Sequence, residues 1–163
     1  MYTRSYRYDE QADYELFAKW TDAHGKGVPP RDHLPRRGVW VGEDNWGPLL
    51  GLALIYKDEH APTGWLGFLT TAPKLGPKKA LRACVAALEA AEVLAISAGI
   101  RYLYVNVESL GYARLLKRLG WMCNHEVNME FCKELVSDPC QDGEAFVEAS
   151  SQRASINLNQ GRQ

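Results

Sequence analysis

Thr63-Gly-Trp-Leu-Gly-Phe-Leu-Thr-Thr71, then Ala72-Pro-Lys-Leu-Gly-Pro77, a helix-patterned run from Lys78 to Ala98, and Ile100-Arg-Tyr-Leu-Tyr-Val-Asn-Val107 are the stretches whose order decides the fold. The first has turn chemistry on its upstream side, Asp58 to Pro62, and strand composition within. Pro73, Gly76 and Pro77 break the pattern, and Pro77 suits the first position of a helix, where its missing N–H would be unpaired anyway. Ala80, Leu81, Cys84, Val85, Leu88, Ala91, Glu92 and Ala95 recur at three and four, a helical stripe that Gly99 ends. Ile100 to Val107 is β-branched and aromatic, the composition of a buried strand. Strand, helix, strand at this spacing requires a parallel pair, because the chain must cross back over the sheet.

Upstream, Tyr2 to Tyr8 alternates aromatic and polar residues as a half-covered strand does. Asp9 offers an N-cap, and Tyr14, Phe17, Ala18 and Thr21 fall at helical spacing between Glu10 and His24, with Gly25 as the stop. Gly25 to Gly38 holds Pro29, Pro30 and Pro35 beside Arg31, Arg36 and Arg37, which reads as an exposed basic loop able to line a substrate groove. Val39 to Glu43, Leu49 to Lys57 and Thr63 to Thr71 form an antiparallel meander. Downstream, Gly111 to Leu119 is a short helix with Tyr112, Leu115, Leu116 and Leu119 inward. From Trp121 the pattern returns to strand period through Val127, Met129 and Phe131. After Lys133 the chain turns polar, and residues 134–163 are expected to be a mobile tail with one helical turn near Glu144 to Ala149. The expected fold is α+β in the order β-α-β-β-β-α-β-α-β, a mostly antiparallel sheet with one parallel junction, formed by residues 1–133.

The chain has 163 residues, enough for one core of ordinary size. Nineteen Lys and Arg against 20 Asp and Glu give a net charge of -1. That disfavours nucleic acid as the main partner, because no global positive field exists. The longest apolar run, Leu49 to Tyr56, is too short for a membrane span, and the start of the sequence lacks a signal-peptide core, so a cytoplasmic location is expected. Cys84, Cys123, Cys132 and Cys140 then read as reduced thiols, and their spacing, with His125, fits no metal pattern. Cys84 falls on the apolar stripe of the long helix. Trp40, Trp46 and Trp65 on the meander read as packing residues.

Three stretches resemble the GNAT N-acetyltransferase superfamily: Leu69-Thr-Thr-Ala-Pro73 leading into the helix from Pro77, the strand Leu103-Tyr-Val-Asn106, and Leu110-Gly-Tyr-Ala-Arg-Leu-Leu-Lys-Arg-Leu-Gly-Trp121, with Gly120-Trp121 where that family usually has Gly-Phe. The resemblance covers Tyr2 to Lys133. It implies that acetyl-CoA, as cosubstrate, enters a wedge where the parallel strands splay, with its pantetheine along Leu69, Thr70 and Thr71 like an added strand. The pyrophosphate would meet the loop and helix start at Gly76, Lys78, Lys79 and Ala80, where unpaired N–H groups and the helix dipole favour an anion. Asn106 ends the second strand beside the wedge, as a polar contact to the cosubstrate or as a turn cap.

The sequence also departs from the family pattern. The Arg or Gln and the glycines usual after the Pro are replaced by Gly76, Lys79 and Leu81, and the usual general-acid Tyr is Leu116. Ser109 and Tyr112 are the nearby hydroxyls able to protonate a leaving thiolate. Glu43, Asp58, Glu59 and Glu108 are candidate bases, each also readable as a surface charge. The resemblance implies an N-acetyltransferase acting by direct attack on an amine of a small molecule or protein, as a monomer or homodimer, and the three arginines suit an acidic acceptor. The alternative is a GNAT fold that has lost catalysis, for example a phage-encoded binding module that grips a host protein.

Overall fold

A computed structural model describes residues 1–44, 47–125 and 129–135. One seven-stranded sheet is built from β1 (Tyr2–Ser5), β2 (Arg37–Gly42), β3 (Leu49–Lys57), β4 (Thr63–Thr71), β5 (Tyr102–Asn106), β6 (Met122–His125) and β7 (Glu130–Glu134). The helices are α1 (Gln11–Ala23), α2 (Pro77–Ser97) and α3 (Leu110–Arg118). The strand order is β1-β2-β3-β4-β5-β7-β6, with β4 and β5 parallel and every other pair antiparallel. The α+β fold and its single parallel junction are as the sequence predicts. So are the helix stops: Gly25, Gly99 and Gly120 take φ of 68°, 74° and 81°, a left-handed turn open to glycine without a Cβ penalty.

The strand expected from Trp121 is two strands. β6 pairs antiparallel with β7, and Met129, just before β7, takes a left-handed φ of 45°. β7 runs through Glu134, and Leu135 packs into the core at 7% exposure. Residues 136–163, with the helical turn expected near Glu144 and Cys140, lie outside the described residues, as does Trp46.

Two cores sit on opposite faces of the sheet. On one, α2 and α3 cover Val39, Val41, Ala53, Ile55, Leu66, Leu103, Val105 and Phe131. On the other, Phe17 and Trp20 of α1 pack on Trp40, Leu52, Leu54 and Phe68. The inward face of α2 is an alanine row, Ala83, Ala87, Ala90, Ala91 and Ala95, with Leu88. Small side chains let the helix lie close: a Cβ on Gly51 of β3 would stand 3.2 Å from the Ala83 carbonyl. This corrects the stripe read from the sequence. Leu88, Ala91 and Ala95 of that stripe are buried, but Leu81 is 53% exposed and Cys84 only partly buried, and the inward face turns instead through Ala83, Ala87 and Ala90.

The 25–38 loop is not an open basic arm. Within it a 3-10 turn spans Arg31–His33. Arg31 donates through Nε (3.0 Å) and Nη2 to the Tyr8 carbonyl and through Nη1 to Gln11 Oε1 (3.2 Å). The Arg31 and Arg36 guanidiniums both lie 5.5 Å from the Tyr8 ring. Two of the three arginines therefore clamp the loop to the start of α1.

Candidate active site

The β4–β5 pairing lasts three residues, Thr63–Tyr102, Gly64–Leu103 and Trp65–Tyr104. Beyond Trp65, β4 follows β3 alone and β5 follows β7 alone, so the two strands part into a wedge. The β3–β4 register slips where Leu54 faces Phe68 and Ile55 faces Leu66, which leaves Gly67 as an extra residue. Such a bulge bends the strand and flips the facing of everything after it. A Cβ on Gly67 would stand 2.3 Å from Tyr56 Cε2, so the Tyr56 ring lies directly over this glycine. Its hydroxyl donates to the His33 carbonyl at 2.6 Å.

After the bulge, the Ala72 N–H donates to the Leu50 carbonyl at 2.9 Å. Alternation along an antiparallel pair then turns the backbone groups of Thr70 toward β3 and those of Leu69 and Thr71 into the wedge. On the other side, Val107 N–H donates to Met129 and Leu135 N–H to Arg101. That parity turns the backbone of Asn106 into the wedge from β5. Leu69 and Thr71 therefore turn their backbone groups away from β3, the Thr71 carbonyl accepting from His24, while the backbone of Thr70 is turned to β3.

Both parallel strands lead into helices at the wedge's open end. At the α2 start Gly76 is the N-cap and Pro77 the first residue. The Ala80 N–H is the first to be consumed, by the Gly76 carbonyl at 2.9 Å, so the N–H groups of Lys78 and Lys79 have no intrahelical acceptor. Lys78 is exposed. Lys79 Nζ instead pairs with Glu43 Oε2 at 3.0 Å. Glu43, a candidate base, is thus spoken for at the α2 side. Asp58 and Glu59 lie in the β3–β4 turn, at the opposite end of the sheet, where Asp58 Oδ1 accepts from the N–H groups of His60 and Ala61.

At the α3 start Glu108 and Ser109 are exposed, and the Ser109 side chain makes no capping bond. Tyr112 is half-buried, and its hydroxyl is shielded from solvent with no partner among the described residues. Burial raises its pKa well above that of an ordinary phenol, and the neighbouring Cys84 thiol of α2 adds to the shift. Burial likewise pushes Cys84 up to about 11. Tyr112 thus stays neutral and keeps its proton.

Three features of the site escaped the sequence reading. Gly67 is one of several strand glycines, and nothing local marks it as a bulge. His24, the end of the first helical stretch in the sequence, donates from Nε2 to the Thr71 carbonyl at 2.8 Å and so ties the end of α1 to the wedge. Glu130 stands opposite Asn106, and only strand pairing brings it there.

No protein-family model matches the chain, and no curated protein matches it by sequence. Solved structures do match in architecture. An aminoglycoside 6'-acetyltransferase type Ii superposes with a TM-score of 0.65 at 12% identity, over 85% of this chain and 100% of that one. A protein described as an acetyltransferase of the GNAT family, from Desulfovibrio desulfuricans, gives 0.62 at 15%, over 82% and 98%. The ribosomal-protein-S18-alanine N-acetyltransferase from Escherichia coli gives 0.60 at 10%, over 85% and 97%. Wedge, bulge and element order together give the chain the GNAT acetyltransferase fold.

Proposed function

We propose that the chain is an N-acyltransferase that moves an acetyl group from acetyl-CoA to an amine by direct attack. The observation that carries this reading is the wedge itself, with backbone groups of Leu69 and Asn106 and the Thr71 N–H free of strand pairing on its walls and two helix N-termini at its mouth. Strand edges that no neighbouring strand covers offer ready-made hydrogen-bonding groups, so they suit an extended ligand that adds as a strand. The N–H groups at Lys78 and Lys79, with the Gly76 cap and the Ala80 turn behind them, suit its pyrophosphate.

In the reaction the neutral amine nitrogen bonds to the thioester carbonyl carbon, the C–S bond breaks, the resulting ammonium gives one proton to Glu108 or water, and the departing thiolate takes one from water. Tyr112, held neutral, serves as hydrogen-bond donor at the leaving sulfur, with the exposed Ser109 as the other hydroxyl at this helix start. Glu108 stands at the same end to accept the ammonium proton, directly or through water. The acceptor is an amine of a small molecule or protein.

One observation favours the second reading, a binding module without turnover: Lys79 is tied to Glu43, which leaves the anion site with less charge than the sequence suggests. Calorimetric titration with acetyl-CoA and CoA decides first. Micromolar binding of both, with CoA release on adding amines, supports the transferase. Binding without turnover, or no binding at millimolar ligand, rejects the transferase and leaves the module that grips a protein partner.

A further inference from the structure

Glu130 is the first residue of β7 and pairs with Asn106, two positions beyond the last rung that β5 shares with β4. Its facing follows from its neighbours. Phe131 is buried in the α2-side core, and Lys133 reaches Glu92 of α2 at 2.8 Å, so Glu130, Cys132 and Glu134 point to the opposite side. The same alternation on β5 puts Tyr104 and Asn106 on that side, since Leu103 and Val105 are in the core. Trp65 joins them, stacked on Tyr104 with centroids 5.1 Å apart and still 40% exposed. A carboxylate on β7, one strand beyond β5, and an open aromatic pair at the last β4–β5 rung therefore share the sheet face away from α2 at the root of the wedge.

The charges nearby sharpen this. Glu134 of the same strand is bonded to Arg101 at 2.8 Å, and Glu92 is shared by Lys133 and the Trp121 indole. Glu130 is half-buried, and among the residues whose side chains are described no Lys or Arg forms an ion pair with it. Its nearest partner is the neutral Asn124 amide, at a long 3.4 Å. A partly desolvated carboxylate beside exposed ring faces is an environment that favours a cation: the carboxylate supplies charge and hydrogen bonds, the rings their quadrupole. The basic loop that suggested an acidic acceptor is meanwhile occupied, with Arg31 and Arg36 on Tyr8.

We propose that Glu130, with the Trp65–Tyr104 pair, binds the acceptor as a protonated alkylamine on the face of the wedge opposite α2. This rests on the transferase reading for its role in turnover, but not for the binding itself. The chemistry is shared by free polyamines and by lysine side chains, so spermidine and Nα-acetyl-lysine amide are both titrated, with glutamate as an anionic amine, into CoA-free and CoA-saturated protein. Binding of at least one cationic amine, weakened tenfold or more by Glu130→Gln and by Trp65→Ala but not by Glu134→Gln, is expected. Which probe binds tells polyamine from lysine. Equal binding by E130Q whose melting temperature is unchanged, preference for glutamate, or no binding of either cation overturns the inference. If acetyl-CoA binds while E130Q leaves amine binding intact, this inference fails and the transferase reading stands. If amine binding depends on Glu130 but acetyl-CoA has no affinity, the amine site stands and the transferase reading fails.

Discussion

Tyr112 shows how a single atom separates stability from function. A buried hydroxyl without a partner costs about 1–3 kcal/mol, so removing it should not harm the free protein. Tyr112→Phe is expected to melt at or above the wild-type temperature while CoA release falls about tenfold or more, since the ligand's partner is lost. Lower melting with unchanged turnover would make Tyr112 a packing residue. Asp13 is the opposite case. It is 2% exposed and accepts from both Arg4 guanidinium nitrogens, at 2.6 and 3.0 Å, and from the Arg7 N–H at 2.8 Å. Burial alone would raise its pKa, but these bonds hold it below the ordinary value. Its stabilisation is therefore complete above the unfolded pKa, about 3.9, and fades as pH falls through the lower folded value. Asp13→Asn should cost about 1.5–3 kcal/mol at neutral pH, and the gap to wild type should close below about pH 4 in melts across pH. Residue types alone exposed the Tyr112 hydroxyl as a candidate. They could not show that Asp13 is buried, because an Asp early in a helix ordinarily sits in solvent near the dipole.

At the scale of elements, the long helix, the meander and the parallel junction were legible because period and turn chemistry act locally. The register of β4 was not, since a bulge depends on what the partner strand presents. Gly67 under the Tyr56 ring is the physical reason. Gly67→Ala should push the ring aside, cost about 1–3 kcal/mol by overpacking, and weaken acetyl-CoA binding by disturbing the wedge wall. Adding Tyr56→Ala should restore much of the binding, because the clash partner is gone. Circular dichroism melts and calorimetry on the single and double variants check this; a double variant no better than the single would place the strain elsewhere. The same dependence on partners explains the rotated face of α2. Leucine and cysteine spacing suggested one stripe, but the Gly51 backbone selects the alanine row. It also explains why Glu130 reads from sequence as an ordinary alternating charge.

Across the whole molecule the wedge separates charge. Lys78 and Lys79 stand at the α2 end and Glu130 on the opposite face, although the net charge of -1 shows none of this. The two lysines are not equivalent. The Lys79–Glu43 pair is about half exposed on both sides, and such pairs contribute about 0–1 kcal/mol, so an anion can compete for Lys79 only by giving up a modest contact. Lys78→Ala is accordingly expected to weaken CoA binding more than Lys79→Ala, and Glu43→Gln to tighten it a few-fold by releasing Lys79. All of these affinities should fall with salt, because the charges lie near the surface and screening acts over about 8 Å at physiological ionic strength. The salt slope should be shallowest in the Lys78→Ala protein. Calorimetric titrations of the three variants at low and high salt test the point. If Lys79→Ala weakens binding as much as Lys78→Ala and Glu43→Gln changes nothing, the ion pair opens freely on binding, and the loop is a two-lysine anion site after all.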